Sequence, residues 1–245
     1  MNGTQKLQVL AVAGAGLFLL TSIAVSAHWL DGPDRRVDAW VADHFGAELA
    51  STHWSDLSLP GAGAVATAVV ATTAFLVWRS GARRTAVILV ALAVAGGVAT
   101  DVLKDAYHRP YPAHTRYTFN APHNQTLFDE DQELNWTPTP PDLSSFPTRP
   151  GRAYPSGHTM GATVSCGLAV LLGSRALLRR MDRCAIAVAV LLGVVVGLDR
   201  VLIRVHWLSD VVGAWGLGAA FVGLGLLLDD AFGDATARLI SQPRA

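Results

Sequence analysis

Apolar residues arrive along this chain in long blocks, not in the i, i+3, i+4 stripes of helices that keep one face in water. Six blocks reach or approach the roughly 20 residues that a helix needs to cross a bilayer. They are 7–27, 57–78, 85–103, 157–174, 184–203 and 209–228. The pattern predicts an all-α, polytopic membrane protein, a six-transmembrane-helix bundle forming one domain over residues 1–245. The first block follows a lysine and ends in Val-Ser-Ala, as a cleavable signal would, but its apolar stretch is long for one. It is read as a retained first span.

The polar stretches between blocks set the orientation. "RSGARR" after the second block carries Arg79, Arg83 and Arg84, and the stretch after the fourth carries Arg175, Arg179, Arg180 and Arg183. Basic short loops stay in the cytoplasm, so both termini are expected there and the active side is expected to be extracytoplasmic. The outer segments are then 28–56, 104–156 and 204–208. In the first of them, "DRRVDAWVADHFGAEL" spaces Val37, Trp40, Val41 and Phe45 by three and four, which predicts a short amphipathic helix at the interface. The 104–156 loop is long, polar and proline-rich, with no sustained periodicity.

Composition agrees with the membrane reading. Only 16% of residues are charged, and the formal net charge is zero, which argues against a nucleic-acid partner, since that would need a basic face. Cys166 and Cys184 both fall in apolar blocks and are expected to be small buried residues, without metal-ligand spacing. His108, His114 and His123 are spaced as loop residues, not as a metal site, so neither metal nor cofactor is expected.

Three polar stretches, "DVLKDAYHRPYP", "YPSGH" and "DRVLIRVHWLSD", lie at block ends that the topology brings out on one side. His206 and Asp210 are four apart, so on a helix they share a face. An aspartate on one ring nitrogen fixes the tautomer and leaves the other nitrogen as base or nucleophile. An interfacial histidine beside a capping aspartate has the same spacing. Ser156 and Gly157 open a predicted helix whose unpaired N–H groups form an anion site, although a plain serine cap reads alike. Lys104, Arg109 and Arg200 add three cations, and His158 a second imidazole. The inventory suits phosphoryl transfer by charge stabilisation with a histidine nucleophile.

Together the stretches resemble the signature of the type 2 phosphatidic acid phosphatase superfamily, which includes the vanadium haloperoxidases. Its motifs are K-x6-R-P, P-S-G-H and S-R-x5-H-x3-D. "PSGH" is complete at 155–158; Arg200, His206 and Asp210 fit the third motif, with Asp199 where serine is usual. The first motif departs: six residues beyond Lys104 stand Tyr111-Pro112, and an Arg-Pro pair comes two residues earlier, at Arg109-Pro110. Either Arg109 serves in place of the missing arginine, or Tyr111 alters the substrate.

The resemblance implies a metal-independent membrane phosphatase acting on a lipid phosphate or diphosphate. Polyprenyl diphosphate, phosphatidic acid, phosphatidylglycerol phosphate and a prenyl-linked sugar phosphate are the candidate substrates. It implies that His206 attacks phosphorus, Asp210 orients it and His158 protonates the leaving oxygen. Lys104, Arg109, Ser156, Gly157 and Arg200 would hold the phosphate. Two alternatives keep the same fold: a phosphotransferase that passes the phosphoryl group to another lipid or sugar, and a non-catalytic transport or scaffold protein.

Overall fold

The computed structural model describes residues 2–45, 53–112, 151–179 and 183–241. Arg180, His114, His123 and most of the 104–156 loop lie outside the described residues. Every regular element among the described residues is helical. In chain order they are α1 (Gly3–Ser26), α2 (Asp31–Phe45), a tight 3-10 segment (His53–Gly61), α3 (Gly63–Arg79), α4 (Arg83–Tyr107), α5 (Gly157–Leu178), α6 (Arg183–Leu202) and α7 (Leu208–Ser241).

Five of these, α1, α4, α5, α6 and the first 26 residues of α7, are long and apolar enough to cross a membrane. The chain is thus a multi-pass membrane protein. α3, with 17 residues, is shorter because the block expected from residue 57 opens as the 3-10 segment, with Pro60 inside it. A proline cannot donate to the preceding turn, and it delays the helix to Gly63.

α1 lies along α7 through small residues. A Cβ on Gly14 would sit 2.6 Å from the Ala220 nitrogen, and one on Gly216 would sit 2.7 Å from the Phe18 nitrogen. Backbones approach this closely where small side chains let dispersion contacts replace a hydrophobic driving force. The dry core lies between α3, α4, α5 and α7, where Val77, Leu89, Leu168 and Leu172 are fully buried and Leu226 nearly so. Large apolar side chains such as Val12 (72% exposed), Leu20 (69%) and Leu178 (65%) point outward. A surface of this kind is a liability in water and suits contact with lipid tails.

The two ends of the bundle differ. At one end Thr85 donates to Asp229 at 2.7 Å and Arg175 pairs with Asp230 at 2.7 Å, tying α4 and α5 to α7. At the other, α5 begins against the 3-10 segment: a Cβ on Gly61 would run into the His158 carbonyl, and one on Gly161 into that of Gly61. Cys166 donates to the Pro60 carbonyl at 3.0 Å. Over this contact, at Gly161–Cys166, α5 widens into a π turn, a feature frequent at functional sites. Cys184, expected to be buried, is exposed at the start of α6, while Cys166 is buried.

Also at this end, α2 is clamped onto the bundle. Val41 is buried against Val201 and Val211, with Val37 packed beside them, while Trp40 remains 51% exposed. Asp38 accepts two hydrogen bonds from Arg204, both 2.7 Å. The backbone entering and leaving the long loop also runs together. The Ala153 N–H donates to the Arg109 carbonyl at 3.0 Å, and a Cβ on Gly151 would strike the backbone of Arg109 and Pro110.

Candidate active site

Lys104 stands in the last turn of α4, and Gly157 is the first residue of α5. A Cβ on Gly157 would lie 3.1 Å from the Lys104 Nζ, so the ammonium stands directly over the helix start. A fixed cation beside unpaired N–H groups doubles the pull on an anion. Ser156, fully buried, is the N-cap: its Oγ accepts from Thr159 Oγ1 at 3.0 Å and, more loosely, from the Thr159 N–H. Its own N–H donates to the Asp210 carbonyl at 3.2 Å, which joins the start of α5 to the start of α7. His158 follows in the first turn of α5 and lines a cavity of about 260 Å³ with Lys104 and Gly157.

His206 sits in the turn between α6 and α7, outside either helix, so the shared helical face expected of it and Asp210 is not what joins them. The turn folds back instead. Arg204 adopts a left-handed φ of 61°, and the His206 N–H donates to the Arg200 carbonyl at 3.2 Å. The Asp210 Oδ2 accepts from the Trp207 N–H at 3.0 Å and faces the His206 Nδ1 at 3.3 Å. The Nε2 is the ring nitrogen that Asp210 does not face. Burial holds His206 below the usual histidine range; Asp210 opposes the shift, while Lys104 and His158 reinforce it. An imidazole kept neutral in this way is prepared to act as a nucleophile.

Arg200, buried at the end of α6, donates through Nε and Nη2 to the adjacent Asp199 carboxylate, at 3.1 and 2.7 Å, and through Nη2 to Ser58. The Asp199 Oδ1 is buried without a hydrogen-bond partner among the described residues. Tyr111 brings its ring centroid to 5.6 Å from that of His206 and donates to the Arg152 carbonyl at 3.1 Å.

Arg109 is turned away from the α5 start. Its Nη1 donates to Ser209 Oγ and Asp210 Oδ1, both at 2.6 Å, and its Nη2 donates to Asp34 Oδ2 at 2.7 Å. Burial pulls its pKa down, but Asp210 and Asp34 more than offset this, so the guanidinium stays charged. Sequence reasoning missed Asp34, Asp38 and Ser58. A signal for the first two was present: Asp34 and Asp38 are four apart, on the same face of α2 as Val37 and Val41. Among the described residues, no group of three or more His, Cys, Asp or Glu is placed to hold a metal ion.

The model of the PAP2 superfamily matches residues 84–233, from the start of α4 into α7. The chain belongs to the PAP2 superfamily. Within that membership, no curated protein matches significantly. Among solved structures this PAP2 chain is similar to the first transmembrane PAP2-type phosphatidylglycerolphosphate phosphatase from Bacillus subtilis. The likeness has a TM-score of 0.65 at 17% identity and covers 91% of this chain and 96% of the other. At that identity it speaks for the fold alone. The matched stretch contains Lys104, the complete second motif and the Arg200, His206 and Asp210 of the third, and excludes α2.

Proposed function

We propose that this PAP2 protein is a lipid phosphatase that hydrolyses a lipid phosphate or diphosphate monoester from the extracytoplasmic face, through a phosphohistidine. The observation that carries this reading is a convergence at one end of the bundle. Lys104 stands over the start of α5 and lines one cavity with His158, and the Ser156 N–H bond to the Asp210 carbonyl ties that helix start to the His206–Asp210 pair.

The phosphate sits on the Lys104 ammonium, the Gly157 N–H, the Ser156 hydroxyl and the Arg200 guanidinium, which neutralise charge that builds up in transfer. The His206 Nε2 attacks phosphorus. An N–P bond forms as the P–O bond to the lipid breaks, and the leaving oxygen keeps the electron pair and takes a proton from His158. Water, giving its proton back to His158, then splits the N–P bond and releases phosphate. The groups named here supply the neutralisation without a metal ion.

A lipid substrate is supported by the cavity at Lys104 and His158. It continues between α3, α4 and α5 along small residues, among them Gly63, Ala66, Ala93 and Gly97, which leave room for a chain beside the head group. The phosphatidylglycerolphosphate phosphatase described above has a substrate of this class. Undecaprenyl diphosphate, phosphatidic acid and a prenyl-linked sugar phosphate complete the panel for testing.

The test is phosphate release by purified protein in detergent, with chelator present. Wild type is expected to turn over at least one lipid of the panel, and His206→Ala to lose at least about 10³-fold while staying membrane-inserted. Undiminished release from the His206→Ala protein would sink the mechanism. Label recovered on a second lipid instead of in free phosphate would replace hydrolysis by transfer.

A further inference from the structure

We propose that Asp34, on α2 and outside the stretch matched to the family, is a positioning residue for the reaction, acting through Arg109 on Asp210 and thence on His206. The inference rests on the phosphohistidine reading given above.

Four side chains form one buried chain of contacts. Asp34 is 4% exposed, Arg109 8%, Asp210 0% and His206 7%. Asp34 Oδ2 accepts from Arg109 Nη2 at 2.7 Å, Arg109 Nη1 donates to Asp210 Oδ1 at 2.6 Å, and Asp210 Oδ2 faces His206 Nδ1 at 3.3 Å. Asp34 also fixes the first turn of α7 directly, accepting the Ser209 N–H on Oδ1 at 3.0 Å and the Ser209 hydroxyl on Oδ2. Asp210 therefore cannot rotate without breaking charge-assisted bonds in a water-poor site, where each is strong.

The geometry gives Arg109 a different task from holding phosphate. Both terminal nitrogens are committed to carboxylates and Ser209, and Asp31 Oδ1 stands a further 3.8 Å from Nη2. With one carboxylate only, the guanidinium would be drawn wholly to Asp210 and would compete with His206 for it. Asp34 takes part of that pull. It leaves Asp210 Oδ2 to the imidazole and holds Oδ1 still.

The experiment compares Asp34→Asn, Arg109→Gln and the double variant with wild type in detergent, measuring kcat and KM on the lipid that wild type hydrolyses and Tm for each protein. Asp34→Asn is expected to lower kcat on the order of tenfold to a hundredfold, with KM within about twofold, because the groups that hold phosphate are untouched. Arg109→Gln leaves two buried carboxylates facing each other, so both kcat and Tm fall. The double variant removes one of those charges; its Tm rises above that of Arg109→Gln while its kcat stays low. A part that merely stabilises the fold would recover kcat together with Tm. Wild-type kcat in Asp34→Asn, recovery of kcat in the double variant, or a double-variant Tm no higher than that of Arg109→Gln would each overturn the proposal. Should wild type itself release phosphate from no lipid, the phosphatase reading fails and this role falls with it. Losses confined to the variants leave that reading standing.

Discussion

Two oxygens of one carboxylate are set to different tasks at Asp210: Oδ2 faces the imidazole of His206, and Oδ1 faces Arg109. This fixes how the enzyme should respond to acid. Burial favours the neutral ring of His206, so protonation, which disables a nucleophile, sets in below the ordinary histidine value of about 6.5. The acidic limb of kcat/KM is expected below that value. Asp210 opposes the shift, so Asp210→Asn should move the limb further toward acid while kcat drops by about 10²–10⁴-fold. A pH–rate profile of the two proteins checks both signs; an unmoved limb would separate Asp210 from the titration. His206, Asp210, Ser156 and Gly157 were legible in the sequence because short spacings hold them. Asp34 was not, since its partner Arg109 is 75 residues away and no local pattern encodes a pairing of that length.

At the scale of elements, hydropathy located every long helix, because crossing a bilayer leaves a block that needs no knowledge of neighbours. What it could not show is which face of a helix meets which other. The spacing in α2 predicted a short amphipathic helix, and α2 is helical; what the spacing did not show is that Asp34, Val37, Asp38 and Val41 turn inward and pin it over α6 and α7. Pro60 accounts for the late start of α3, but an apolar run does not reveal that the segment before it brings Ser58 to Arg200. The groove between α3, α4 and α5 yields an element-scale prediction. Gly97 lines it, and a Cβ there would meet nothing within 4 Å, so a larger side chain can enter without breaking the fold. Gly97→Leu is expected to raise KM several-fold for a long-chain lipid phosphate and to leave a short, water-soluble phosphate ester unaffected. Steady-state kinetics on the two substrates measures this; equal effects on both would place the lipid tail elsewhere.

For the whole molecule, the arginines at the ends of α3 and α5 and the cluster around His206 occupy opposite ends of the bundle. By the positive-inside rule the proposed orientation puts the site on the outer side. In a Cys184→Ser background, a cysteine replacing exposed His108 should react with a membrane-impermeant maleimide in intact cells, and one replacing exposed Arg179 only after permeabilisation. The reverse labelling pattern would invert the proposed orientation. The opposed ends follow from helix direction alone. The paired backbone at Arg109–Pro110 and Gly151–Ala153 has a consequence of another kind. The chain leaves this end after Pro112 and is back at Gly151, at two points already fastened to each other. A change in the number of residues between those two points therefore places no new demand on the backbone that carries Arg109 and His206.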